Sequence, residues 1–138
     1  MTSFVFRRQM TVEFGHCDPV GVVAPKRLFE YFDNATWSLF EAALSIKRQD
    51  FIATVGILPL VDVRLECRKT VHFGDTIEIA SRIAAFRRSS FDVDHRITLD
   101  GELAIEGGET RVWATRDKNN PDKINPRMIP DEVIARFG

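Results

Sequence analysis

Between Pro25 and Leu44 the chain reads PKRLFEYFDNATWSLFEAAL, one long helix with more apolar surface than a free-standing helix can carry. Leu28, Phe32, Ala35, Leu39 and Ala42 fall on one stripe at helical spacing. Phe29, Trp37, Phe40 and Leu44 widen that stripe around the side. A helix apolar over so much of its circumference has to be covered on several sides. Pro25 fits its first position, because the N–H that proline lacks has no intrahelical partner there.

Downstream of the helix the sequence alternates with a period of two. Val61, Val63, Leu65 and Cys67 alternate with Asp62, Arg64, Glu66 and Arg68. Turn residues His72-Phe73-Gly74-Asp75 come next, then Ile77, Ile79 and Ile83 on one phase. Phe91, Val93, His95, Ile97 and Leu99 oppose Asp92, Asp94, Arg96 and Thr98. Asp100-Gly101 is a tight-hairpin signal, since both central residues of such a turn favour positive φ. A last strand is expected over 102–116, with a bulge or bend at Gly107-Gly108. Ahead of the helix, residues 4–14 read as a strand, with Met10, Val12 and Phe14 on one phase. Residues 45–57 predict a loop with a short helical turn around Gln49 to Thr54. Residues 117–127 are turn-rich, and Pro130 to Phe137 predict a short closing helix. The order predicts an α+β fold, an antiparallel sheet curved around one central helix, in one domain over 1–138.

Composition narrows the function. Apolar residues make up 44% of 138, enough for a core without disulfides or a structural metal, and eleven Phe against one Tyr predict a core of bulky rings. A net charge of −1 gives no electrostatic case for nucleic acid or an acidic membrane. Two cysteines, Cys17 and Cys67, and scattered His16, His72 and His95 are poor material for zinc, so no metal is expected. No apolar run approaches the roughly 18 residues of a membrane span. The opening MTSFVFRRQM lacks the charge order of a secretory signal, so a cytoplasmic protein with reduced thiols is expected.

Chemistry concentrates in the loop GHCDPVGVVA, residues 15–24, which leads into the helix N-terminus. Amides at a helix start favour negative charge and can polarise a carbonyl, so Asp18 can act there as nucleophile or base. The same residue can equally cap a turn in an Asp-Pro loop. His16 and Cys17 are neighbours in an extended segment and point apart, which argues against a cysteine–histidine pair. A second candidate is Arg87-Arg88-Ser89-Ser90: arginines suit phosphates, but a solvated strand end reads the same way. Arg64, Arg68 and Lys69 fit an exposed strand face. His95, on the apolar phase, fits a satisfied core histidine. Glu41 and Asp33 on the helix face either a pocket or neighbouring loops.

The run Val12-Glu13-Phe14-Gly15-His16-Cys17-Asp18-Pro19-Val20-Gly21-Val22-Val23, with Leu28-Phe29-Glu30-Tyr31-Phe32-Asp33 after it, resembles the signature of the 4-hydroxybenzoyl-CoA thioesterase family. The resemblance implies the hot-dog fold over nearly the whole chain. It implies an acyl-CoA substrate, aromatic or of short to medium chain, with Asp18 as the catalytic carboxylate and no cofactor beyond the CoA of the substrate. It implies that Arg87, Arg88, Ser89 and Ser90 contact CoA phosphates, and that the protein is a homodimer or homotetramer. Gly21 shapes the loop. The chain departs from the family at Pro25, where an aromatic residue or His usually offers an amide to the thioester carbonyl. Pro25 has no N–H, so Lys26 or another amide must serve. The departure also admits an alternative, a non-catalytic acyl-CoA-binding or regulatory hot-dog protein.

Overall fold

The computed structural model describes residues 2–138. The elements, in chain order, are β1 (Val5–Thr11), a 3₁₀ turn (Phe14–His16), α1 (Pro25–Leu44), α2 (Arg48–Thr54), β2 (Leu60–Cys67), β3 (Thr76–Phe86), β4 (Ser90–Leu99), β5 (Glu102–Val112), β6 (Ala114–Arg116), β7 (Ile124–Pro126) and α3 (Asp131–Ala135). β1 to β5 form one antiparallel sheet in the order β1-β3-β4-β5-β2, wrapped around α1. β6 and β7 make a separate short ribbon. The α+β expectation, a curved antiparallel sheet on one long helix, is what the chain adopts.

The alternation of β4 holds: Phe91, Val93, His95, Ile97 and Leu99 are all buried against α1 or its flanks. The β4–β5 hairpin turns through Asp100 and Gly101, both at positive φ (53° and 79°), the geometry that an Asp-Gly pair supplies. α1 runs from Pro25 to Leu44 and stops at Ser45, which enters the left-handed region and caps Glu41 O.

Four expectations need correction. Ala42 is exposed and Ala43 is buried in its place. At about 100° per residue, 42 and 43 lie equally far to either side of the stripe 28, 32, 35, 39, and the covered side is the one that also carries Thr36, Phe40 and Ala43. α1 is covered on several sides, as expected, and open on one, where Phe29 keeps 39% of its surface and Glu30 and Asp33 face outward. Gly107-Gly108 makes no bulge. Both residues stay in register, Gly107 between Leu65 and His95 and Gly108 between Arg64 and Asp94. The glycine serves close approach instead, since a Cβ at Gly107 would overlap the Phe32 ring and the Arg64 carbonyl. The expected strand 102–116 is broken after Val112, where Trp113 N–H turns to Ser89 O and the chain leaves to pair with β7. β1 likewise ends at Thr11, short of the expected 14. Val12 then closes onto the β2–β3 connection through Val12 N–H to Asp75 O (2.8 Å) and Gly74 N–H to Val12 O (3.0 Å).

Five of the eleven Phe, at 32, 40, 51, 91 and 137, are fully buried. Each contributes about 1.5–3 kcal/mol on leaving water. Phe40 is the hub of the half distal to the loop, with ring centroids 5.0 Å from Phe137 and 5.1 Å from Phe91. Arg48 ties α2 back to α1 through Glu41, Asn34 and Ser38. That ion pair holds the Glu41 carboxyl below its usual range and gives Glu41 a structural partner.

Candidate active site

The loop 15–24 folds onto itself as a miniature hairpin. Asp18 N–H donates to Val22 O (2.8 Å), Gly21 N–H to Asp18 O (2.9 Å), and Cys17 bridges Val23. Gly21 sits at φ 86°, which the reversal requires. The hairpin is pinned outside by Phe73 N–H to Gly21 O and inside by Ala24 N–H to His16 O. These contacts set Asp18, Gly21, Pro25 and Lys26 around one loop–helix junction.

Asp18 is exposed. Its Oδ1 accepts from Val20 N–H (3.1 Å) and Val22 N–H (3.0 Å), so the residue does cap its own loop. Its Oδ2 has no partner among the described residues. At the start of α1, Arg27 N–H and Leu28 N–H both reach Ala24 O (2.9 and 3.3 Å). Pro25 has no N–H. Lys26 N–H is therefore the first-turn amide left without an acceptor among the described residues, at the positive end of a 20-residue helix.

Sequence reading missed the apolar rim of this junction. Phe14 and Phe73 are both more than half exposed and pack edge to face at 5.4 Å, with Val20 exposed beside them. The signal was available: Phe14 lies on the strand phase of Met10 and Val12, but beyond the sheet, where nothing covers it. His16 and Cys17 do diverge. His16 Nδ1 shares a hydrogen bond with Tyr31 Oη (2.8 Å), whereas Cys17 Sγ points to Glu13 O. Burial, with help from Cys17 and Glu13, pushes the Tyr31 phenol up to about 12, so it stays neutral.

The Arg87–Ser90 segment forms the tight turn between β3 and β4, closed by Arg87 N–H to Ser90 O. Arg87 is committed: its guanidinium forks onto Asp92 (3.0 and 2.7 Å) and also reaches Ser90 Oγ. The pair draws the Asp92 carboxyl below its usual range. Arg88 is exposed, and its side chain has no partner among the described residues. The backbone carbonyls of Arg88 and Ser89 bind Ile129 N–H and Trp113 N–H. This turn sits at the far end of β3 from Asp18. Eleven residues of strand at ~3.3 Å each separate them by roughly 30 Å. One copy of the chain does not bring the two candidates together.

A third polar group is buried. His95 Nδ1 meets Ser81 Oγ (2.7 Å) and its Nε2 meets Glu109 Oε1 (2.8 Å), with Thr36 Oγ1 on the same carboxylate oxygen. Glu109 Oε2 takes Arg111 Nη2 (2.6 Å), and Arg111 continues to Leu58 O and out to Asp33. Phe32 stacks on the His95 ring at 4.6 Å. His95 is thus a satisfied core histidine, and Asp33 is the surface end of a buried chain. Arg64, Arg68 and Lys69 form ion pairs on the exposed strand face, with Asp94, Glu106 and Glu102 respectively.

Residues 12–137 match the thioesterase-like superfamily. The chain is 30% identical over 134 residues to the 4-hydroxybenzoyl-CoA thioesterase of Pseudomonas sp. strain CBS-3, covering 91% of this chain and 92% of that one. It is 31% identical over 100 residues to a 1,4-dihydroxy-2-naphthoyl-CoA hydrolase of Synechococcus elongatus, covering 71% of each. Among solved structures, the Pseudomonas 4-hydroxybenzoyl-CoA thioesterase superposes with a TM-score of 0.85 at 24% identity, over 97% of this chain and 99% of that one. The chain belongs to the thioesterase-like superfamily. It is a thioester hydrolase with the hot-dog fold.

Proposed function

We propose that the chain hydrolyses an acyl-CoA to a free carboxylic acid and CoA, with Asp18 as the catalytic carboxylate. The observation that carries this reading is the divided state of Asp18. One oxygen ties the loop together while the other stays unpaired in solvent, on the loop that leads into the helix start where Lys26 N–H is unpaired. A preorganised anion next to a preorganised donor is what an acyl-transfer site needs. In the direct route, Oδ2 attacks the thioester carbon and the CoA thiolate leaves. Water then cleaves the mixed anhydride and restores the carboxylate. In the alternative route Asp18 takes a proton from the attacking water. Lys26 N–H donates to the carbonyl oxygen in either case, replacing the amide that Pro25 cannot offer.

Named relatives act on aromatic acyl-CoA esters, and the exposed Phe14–Phe73 pair beside the loop favours an aromatic acyl group here over a short or medium aliphatic chain. Arg88, supported by the Arg87–Ser90 turn, binds CoA phosphates. Its distance from Asp18 in one copy supports a homo-oligomer in which this turn serves a neighbouring copy's site. Leu60 and Val61 lie exposed on the free edge of β2, which suits edge-to-edge pairing with a second copy. No helix among the described residues is long and apolar enough to cross a membrane. The test is a panel of aromatic and aliphatic acyl-CoA esters, read by released thiol and run beside Asp18→Asn. Turnover of the aromatic esters that collapses in the variant is expected. Equal turnover in the variant removes Asp18 from the reaction.

A further inference from the structure

On the side of α1 that faces β1 there is a small cavity of ≈ 140 Å³, lined by Arg8, Met10, His16, Tyr31, Asn34, Ala35 and Ile79. At about 30 Å³ per water it has room for roughly four or five waters, or one small organic group. Arg8, exposed on the edge strand β1, stands at its rim. β1 pairs with β3 so that Phe6, Arg8 and Met10 share the inward phase with Ser81, Ile79 and Ile77. Arg8 is the charged member of that phase, and it makes no hydrogen bond or ion pair among the described residues.

Two other polar groups of the cavity, Asn34 and Tyr31, carry donors. Asn34 Oδ1 is already taken by Arg48 Nη1 (2.8 Å), which leaves the amide N–H₂. Tyr31 is a neutral phenol, bonded to His16 Nδ1. Glu13 Oε2 lies 3.6 Å from His16 Nε2, which favours the tautomer that accepts the Tyr31 O–H at Nδ1; a carboxylate in the cavity would compete for that O–H and draw the imidazole proton to Nδ1. No Asp or Glu lines the cavity, and its floor is Met10, Ala35 and Ile79. A cationic fork, a phenol and an amide over an apolar floor fit a planar anion with two acceptor oxygens and a small apolar body.

We infer that this cavity is a binding site for a small monocarboxylate, with Arg8 as counter-charge and Tyr31 and Asn34 as orienting donors. The inference goes beyond the proposed hydrolysis and does not need Asp18 to be catalytic, although the free acid released from a thioester is an anion of this class. His16 lies two residues before Asp18, so occupancy is felt in the catalytic loop as a change in the His16 tautomer.

The experiment titrates the whole protein with benzoate, its neutral isostere benzamide, and inorganic phosphate, followed by calorimetry and by the His16 ring signals in NMR. Benzoate is expected to bind with Kd at or below about 1 mM, to move the His16 signals, and to outcompete phosphate. Arg8→Gln is expected to weaken benzoate about tenfold or more, Tyr31→Phe by a few-fold, and Asp18→Asn not at all. Benzamide binding as tightly as benzoate overturns the inference. So does benzoate binding that Arg8→Gln leaves unchanged. Phosphate binding with no benzoate binding overturns the carboxylate assignment. Loss of benzoate binding in Asp18→Asn with retention in Arg8→Gln assigns the anion to the catalytic loop instead. Turnover in the acyl-CoA panel is read separately, so failure here and failure of the Asp18 assignment are distinguishable.

Discussion

The molecule holds two acidic groups in opposite conditions. Glu109 is 1% exposed and fully engaged: His95, Thr36 and Arg111 occupy both its oxygens. Asp18 is exposed and half engaged, with two backbone donors on one oxygen and none on the other. Glu109 has the stronger interactions and nothing left over to offer a substrate. Asp18 has weaker interactions and a spare anionic oxygen. A buried carboxylate with both oxygens engaged by the protein belongs to stability, and reactivity needs an acceptor held in place by something other than its own reacting atom. Substitutions at each carboxylate test that division.

The largest effect is expected at Asp18. Asp18→Asn keeps an Oδ1 that can accept from Val20 and Val22, so the loop should hold its shape. Losing the anionic oxygen should lower turnover by roughly 10²–10⁴-fold if it acts as a base, and by more if it attacks directly. Asp18→Ala removes the caps as well, and should add a stability loss of about 1 kcal/mol that Asn does not show. Thermal melting beside the thiol-release assay separates the two. Asn and Ala equal in stability would mean that the caps contribute nothing.

Glu109→Ala should do the reverse. It strands Arg111, 3% exposed, as a buried charge whose nearest remaining carboxylate is Asp33 at the surface. Removing one member of such a pair costs about 3–5 kcal/mol. Urea unfolding measures it, and a loss under about 1 kcal/mol would show that water or Asp33 compensates.

The same carboxylate gives a pH signature of the next size. Burial pushes the Glu109 pKa up, but hydrogen bonds from His95 and Arg111 outweigh it and carry it down to about 2, from a usual 4.5. A depressed folded-state pKa stabilises above the unfolded value and loses that stabilisation as pH falls through the folded one. The contribution, about 3 kcal/mol, should be complete above about pH 5 and drain away between there and about pH 2. Urea midpoints at pH 7 and pH 3 should differ, and the difference should shrink in Glu109→Gln. An equal difference in both proteins would move the acid sensitivity elsewhere.

Sequence reading found these two carboxylates unequally. Asp18 was legible because its neighbours are local. Gly21, the Asp-Pro turn and Pro25 lie within eight residues of it, and the loop they build closes on itself. The long helix was legible for a similar reason, since Pro25 starts it and a 3.6-residue period runs through it. Glu109 was not legible. Its partners His95, Thr36 and Arg111 come from two strands and a helix, up to 73 residues away, and on its own strand it reads as one more charged residue near two glycines. The glycines misled for the same reason. Gly107 answers to Phe32, a contact that exists only once the sheet has curved onto the helix. The Arg87 ion pair was not legible either, because an arginine five residues before Asp92 reads as free until the turn closes and forks it onto that carboxylate.

That fork sets the smallest prediction, and makes it the sharpest test of the Arg turn. If both arginines bound phosphate equally, Arg87→Ala and Arg88→Ala would raise the KM for acyl-CoA alike. The structure makes them unequal. Arg87 already commits its guanidinium to Asp92, and removing it frees a carboxylate next to the site, which adds repulsion to lost attraction. Arg88 has no internal partner to lose. Arg88→Ala should therefore raise KM without touching the melting temperature. Arg87→Ala should lower both affinity and stability, the latter by about 0.2–1 kcal/mol as befits an exposed ion pair. A charge-assisted phosphate bond contributes at most about 1.5–3 kcal/mol, less at an exposed site, so the change in KM should stay within about tenfold for each variant. It should fade as salt rises, because at 1 M the Debye length is only about 3 Å. Asp92→Asn completes the test: it releases Arg87 without removing it, and should strengthen CoA binding if the turn meets phosphate. A KM unchanged in the Arg87→Ala/Arg88→Ala double variant would leave the turn as a strand end closed by its own ion pair, and CoA would have to be held from another surface.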